Sequence, residues 1–214
     1  DPTVSRRSGF LQPQLNNSKV LGSSLFIPYY NVISENKDYT FKPTIFENNK
    51  YIFQNEFRQK NKKSNLITDF SLTKGYKSSD ENNKNSISHL FLKHDYNLNL
   101  ANFSKSTINT QIERVSNDTY LKVFQNNLFK TPAMPDSTDY MTNKIDLELI
   151  NDTYSLTSGI QIYETLGLAD SDKYQYILPY YNFTRSFDLD EINGMLNLYS
   201  SGSNDLTNTN NLVT

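Results

Sequence analysis

Cysteine and tryptophan are both absent from these 214 residues. Their absence rules out a disulfide framework and any cysteine-ligated metal site. No run of about 18 apolar residues occurs, so the sequence offers no transmembrane helix. A formal net charge of −2 provides no electrostatic footprint for nucleic acid. Helical periodicity is scarce along the chain. Glycine-rich phosphate loops, a nucleophile elbow and an H-E-x-x-H helix are all missing. The hydrophobic fraction is only 36%, with a mean hydropathy of −0.65.

Aromatic residues nonetheless reach 13%, with 15 Tyr and 13 Phe. Disordered chains are usually poor in aromatics, and a water-soluble sandwich would carry more Val, Ile and Leu in its two-layer core. A polar bulk with many Tyr and Phe suits a sheet with one apolar face, aromatic girdles and one wet face. That is the composition of a bacterial outer-membrane β-barrel.

Period-2 alternation supports this reading. In Tyr51–Arg58 the odd positions are Tyr51, Phe53, Asn55 and Phe57, and the even ones Ile52, Gln54, Glu56 and Arg58. Leu66, Thr68, Phe70 and Leu72 alternate with Ile67, Asp69 and Ser71. Ile108, Thr110 and Ile112 alternate with Thr107, Asn109, Gln111 and Glu113, and Ile145, Leu147 and Leu149 with Asp146 and Glu148. Ile192, Leu196 and Leu198 alternate with Asn193 and Asn197.

Polar, turn-rich stretches such as Ser34–Asp38, Glu47–Lys50, Lys60–Ser64 and Lys77–Asn85 divide the runs. About eleven strands are expected, over 8–16, 20–32, 38–47, 50–60, 64–76, 86–98, 100–115, 139–151, 153–165, 174–187 and 191–202. Many are long enough for the roughly 9–11 residues that cross a bilayer at a tilt. The expected fold is therefore all-β, an antiparallel transmembrane barrel present in part. A start at Asp1 without signal peptide reads as a piece of a longer precursor, with the remaining strands elsewhere. Phe124–Thr138, containing Pro132 and Pro135, reads as a loop.

Pro13 and Pro28 lie inside strand-like sequence, in Ser8–Leu15 and Ser23–Tyr30. Proline has no N–H to give to a ladder. A turn midway between Val20 and Leu21 would set both at about the same height on neighbouring strands, a weak point in the sheet.

Four polar residues, Gln54, Glu56, Arg58 and Asp69, are the candidates for a barrel lumen. On a lipid face a charge is costly, so Glu56, Asp69, Glu113, Asp146 and Glu148 should face inward or lie near the rims. A solvated face of a soluble sheet fits the same alternation. The only two histidines, His89 and His94, are five apart and point to opposite strand faces. No metal site, cofactor or catalytic residue is assigned. Lys60, Lys62 and Lys63 form a basic turn that reads as a solvated surface, with phosphate contact as the alternative.

Ordered short motifs add a resemblance. Asp1–Val4 with Arg6–Leu11, then Pro28-Tyr29-Tyr30-Asn31 with Asp38, Thr40 and Pro43 in register, then Glu56-Phe57-Arg58, resemble the start of the barrel in the lipopolysaccharide-assembly family LptD (OstA, Imp). Arg114–Leu121 and Lys173–Pro179 resemble later motifs of that family. Asn31 and Val32 depart from it, since Trp and Asn are frequent there. The cysteines used by some members are absent, so disulfide-controlled maturation is not implied. The resemblance implies that residues 1–214 are the N-terminal part of an outer-membrane barrel, without the periplasmic domain and later strands. It implies lipopolysaccharide insertion into the outer leaflet through a lateral seam, to which Pro13 and Pro28 would belong. The implied partners are lipopolysaccharide, outer-membrane lipid, an LptE-like plug lipoprotein and an LptA-like periplasmic bridge. Alternatives are a barrel enzyme, a porin-like channel or a secreted, Asn-rich adhesion module.

Overall fold

The computed structural model describes residues 6–18, 21–47, 50–77, 84–168, 172–189 and 193–207. Asp1–Val4, Val20, Ile192 and the middle of the Lys77–Asn85 turn lie outside them. The strands are β1 (Gly9–Phe10), β2 (Gln14–Ser18), β3 (Gly22–Phe26), β4 (Tyr29–Ser34), β5 (Lys37–Phe46), β6 (Tyr51–Lys60) and β7 (Ser64–Lys77). They continue as β8 (Lys84–Asn97), β9 (Lys105–Val115), β10 (Tyr140–Ile150), β11 (Tyr154–Thr165), β12 (Tyr174–Leu189) and β13 (Gly194–Thr207). The thirteen strands form one antiparallel sheet, each consecutive neighbour pairing from β4 to β13. Among the described residues no pairing joins its two ends, so the sheet is not closed.

Eleven strands were expected. The count rises because proline splits the first two: 8–16 becomes β1 and β2, and 20–32 becomes β3 and β4. The expected strand 100–115 starts only at Lys105, because 98–104 is a turn capped by the Ser106 hydroxyl. The stretch read as a loop over Phe124–Thr138 is preceded and partly occupied by helix: α1 spans Tyr120–Phe124, and a 3-10 turn follows over Gln125–Asn127.

The chain divides into two compact units: Asp1–Asn61 with Asn65–Lys93 and Glu113–Thr138, and Lys62–Ser64 with His94–Ile112 and Asp139–Thr214. In the first, β5, β6 and β7 are held in unbroken register, with Thr40 opposite Glu56 and Glu56 opposite Asp69. Residues opposite one another share a face. One face therefore carries Asp38, Thr40, Lys42, Thr44, Gln54, Glu56, Asp69, Ser71 and Thr73, all buried. The other carries Ile45, Phe70 and Leu72, which are 54%, 38% and 58% exposed. Water-soluble sheets bury the apolar face. Here the polar face is the covered one, under residues 116–138.

In the second unit, Asp146 lies opposite Gly159, and Gly159 opposite Tyr180. The Tyr180 hydroxyl reaches across the glycine and donates to Asp146 Oδ1 at 2.7 Å. A Cβ on Gly159 would stand 2.3 Å from the Ile145 carbonyl oxygen and 2.7 Å from Asp146 Oδ1. The absent side chain is what lets the tyrosine cross. Apolar residues of this unit, among them Ile145, Ile160, Leu196 and Leu198, are exposed as in the first.

Candidate functional site

Two features of the first unit stand apart from ordinary sheet packing. One is the first hairpin. β1 pairs with β4, Gly9 opposite Tyr30 and Phe10 opposite Tyr29, and β2 pairs with β3, Gln14 opposite Phe26. Between them the Leu11 amide donates to the Pro28 carbonyl at 2.9 Å. From Leu11 to Gln14 is three steps, whereas from Pro28 to Phe26 is two. The first strand thus holds one extra residue, as in a β-bulge, and Pro13 lies in it. Pro13 and Pro28 share one gap in the ladder, but they are not directly opposite as the sequence midpoint implied. Gln14 opposite Phe26 already sets position 13 against Ile27 rather than Pro28, and the extra residue shifts the register by one more.

A third proline joins them. The Ile27 amide donates to the Pro43 carbonyl at 3.2 Å. In such a pair the partner amide normally returns a bond, and Pro43 has none to return. Three prolines on three adjoining strands thus interrupt the ladder at one level. Only Pro13 and Pro28 stand out in the sequence as ladder breaks, although Pro43 follows Pro28 by the same fifteen residues that separate Pro28 from Pro13.

The other feature is the covered polar face. All four lumen candidates lie on it. Glu56 and Lys42 form an ion pair in which both side chains are buried, and Phe129 lies over the Lys42 ammonium, 5.2 Å from ring centroid to Nζ. The Gln54 amide is used at both ends: its Nε2 donates to the Phe129 carbonyl at 2.9 Å, and its Oε1 accepts from the Phe129 amide at 2.7 Å. The same Nε2 also donates to Asp69 Oδ2 at 2.9 Å, and the Thr131 hydroxyl donates to that oxygen at 2.7 Å. Arg58 takes a different role. Its Nε donates to Asp38 Oδ1 at 2.7 Å, and Arg6 Nη1 donates to Asp38 Oδ2 at 2.7 Å.

Asp69 also meets a group that the sequence left without a partner. His89 Nε2 stands 3.0 Å from Asp69 Oδ1. Carboxylates only accept, so Nε2 carries the proton. The other nitrogen, Nδ1, faces the Ser71 hydroxyl at 3.0 Å and the Tyr120 hydroxyl at 2.8 Å, and those two hydroxyls bond each other. Burial pushes the Tyr120 phenol up to about 12, with the nearby Asp69 charge adding to the rise. His94, by contrast, lies on the opposite, partly open face beside Asp95.

Asp69, His89 and Ser71 follow the order of an acyl-transfer triad. Yet both the Asp69 and the His89 side chains are 0% exposed, and Tyr120 caps the serine. No substrate carbonyl can approach. What the network does is fasten residues 116–138 to the sheet through Tyr120, Phe129 and Thr131. The clue in the sequence was Asp69, Ser71 and Thr73 at successive inward positions, a polar row that needs a cover.

At the end of the sheet where β4 turns into β5, Arg6, Glu35, Asn36, Asp38, Arg58, Gln59, Lys60, Asn65 and Ile67 line a cavity of about 440 Å³. Of the basic turn, Lys60 alone borders it. Comparison with protein-family profiles and with curated proteins gives no match for this chain.

Proposed function

We propose that the chain is part of an outer-membrane β-barrel that inserts lipopolysaccharide into the outer leaflet, releasing the lipid beside its first hairpin. The inverted sheet supports the membrane setting: apolar side chains on the open face and charged ones on the covered face are what lipid outside and water inside demand. The ordered motifs resembling the LptD family support the cargo. One observation carries the reading: the ladder of the first hairpin is broken at Pro13 and Pro28. A sheet in hydrocarbon satisfies its backbone groups at every rung. A break retained there marks a place built to part.

The transport is movement without covalent chemistry. Polar sugars pass along the wet face while acyl chains leave at the break. An LptE-like lipoprotein plug and an LptA-like periplasmic bridge are the partners that the resemblance implies. Depleting the full-length protein from cells tests the reading. Surface lipopolysaccharide, followed by pulse labelling and surface-specific capture, should fall with the protein. Unchanged delivery contradicts it.

A barrel hydrolase is the second reading, favoured by the Asp69–His89–Ser71 alignment. It requires residues 116–138 to lift away, and loss of an ester-cleaving activity in a folded Ser71→Ala variant would select it.

A further inference from the structure

The cavity beside Asp38 is not explained by packing. Asp38 is almost fully buried, and each of its two oxygens accepts from a different guanidinium, Arg6 on one side and Arg58 on the other. Both terminal nitrogens of Arg6 are used: they also reach the Tyr30 hydroxyl and the Ser34 and Glu35 carbonyls. Arg58 differs. Only its Nε is engaged, with Asp38 at 2.7 Å and Glu56 at 3.7 Å. Among the described residues its two terminal nitrogens meet no hydrogen-bond partner, and the side chain is 44% exposed. Glu56 is occupied by Lys42.

Arg58 and Lys60 are two apart on β6 and so share a face. Gln59 and Asn65 line the same cavity, with Ile67 beside them. Counting Arg6, Arg58 and Lys60 against Asp38 and Glu35, three cations face two anions and leave +1. A fixed guanidinium fork with its two outer nitrogens free is the geometry that receives two oxygens of an oxyanion. A compact ammonium beside it suits a third oxygen. Asp38 holds the fork in place and has no oxygen left to compete.

We infer that this cavity is a binding site for a phosphoryl group, held by Arg58 and Lys60 with Arg6 as electrostatic support, and that its occupant is the phosphorylated headgroup of the transported glycolipid. The inference rests on the transport reading and adds the residues that meet the cargo's phosphate.

The test uses the full-length protein in membranes, with a photoreactive amino acid at Asn65. Three probes are compared: purified lipopolysaccharide, the same lipid after phosphatase treatment, and inorganic phosphate as competitor. Intact lipid should crosslink, and dephosphorylated lipid should crosslink about tenfold less, the scale of one or two lost charge-assisted hydrogen bonds. Arg58→Gln with Lys60→Gln should lower the intact-lipid yield to a similar degree, while Arg58→Lys, which keeps the charge, should retain part of it. Heat-modifiable migration on gels verifies that each variant is folded.

Equal crosslinking of both lipids, or a folded double variant with full yield, overturns the site. Inorganic phosphate that binds while neither lipid crosslinks overturns the headgroup as occupant. Delivery that depends on the protein together with either result leaves transport standing and removes the site alone. Delivery independent of the protein removes both.

Discussion

The ring of Phe129 stacks on that of Phe26, with centroids 4.8 Å apart and planes 11° from parallel. Phe26 ends β3, immediately before Ile27 and Pro28, and lies opposite Gln14, the residue after Pro13. The segment that covers the polar face therefore rests on the broken hairpin. Gln54 fixes the Phe129 backbone from below, so hairpin and cover share one aromatic contact.

Phe129→Ala should loosen the hairpin as well as the cover. An aromatic pair is worth about 0.5–1.5 kcal/mol beyond its buried area. Amide exchange over Gln14–Ser18 and Gly22–Phe26 should quicken by several fold. Faster exchange confined to residues 128–131 would show that the two elements move independently.

Lys42 and Glu56 should be more sensitive singly than together. Removing one partner leaves a buried charge unpaired, at a cost of about 3–5 kcal/mol. Lys42→Met should lower the urea midpoint strongly, and Lys42→Met with Glu56→Leu should recover much of the loss. A double variant as unstable as the sum of the two singles would contradict the pairing.

Tyr120 gives the cover a dependence on alkaline pH. Its folded pKa, about 12, lies above the ordinary value of 10.0. The neutral phenol is the form the fold holds, so its contribution is complete below about pH 10 and is lost as pH rises through about 12. The shift corresponds to about 2–3 kcal/mol. Protection of residues 116–138 should fade across that window, and Tyr120→Phe should lose this dependence along with the bonds to Ser71 and His89. The same alkaline dependence in the Tyr120→Phe protein would place its origin elsewhere.

Gly159→Ala should disrupt the second unit locally. The added methyl meets the Ile145 carbonyl and the Asp146 carboxylate below contact distance, which forces Tyr180 off Asp146. Overpacking of this kind costs about 1–3 kcal/mol. A lower thermal midpoint is expected, and an unchanged midpoint would contradict the crossing.

Strand positions were legible because alternation is a local signal: Tyr51–Arg58 and Leu66–Leu72 sort onto opposite faces with no knowledge of their neighbours. The cover was not legible. Asp69 and His89 meet only after two strands are brought into register, and nothing around His89 names its partner. Tyr120 and Thr131 reach the sheet from a segment with no periodicity. Pro43 was missed for a related reason. Its strand is otherwise regular, and its missing donor matters only because Ile27 lies opposite. The bulge at Pro13 required counting residues on both strands at once.

On the transport reading, the proline break exists to release lipid. Pro13→Ala with Pro28→Ala, made in the full-length protein, gives back two backbone amides, of which that of residue 28 faces Leu11 across the ladder, a bond worth about 0.5–1.5 kcal/mol. The decisive measurement is the rate at which newly made lipopolysaccharide reaches the cell surface, taken in cells where the double variant is folded and present at normal level. A break built for release predicts slower delivery and a greater permeability to large antibiotics. Delivery at the wild-type rate would contradict it and leave Pro13 and Pro28 as ordinary interruptions of an edge strand.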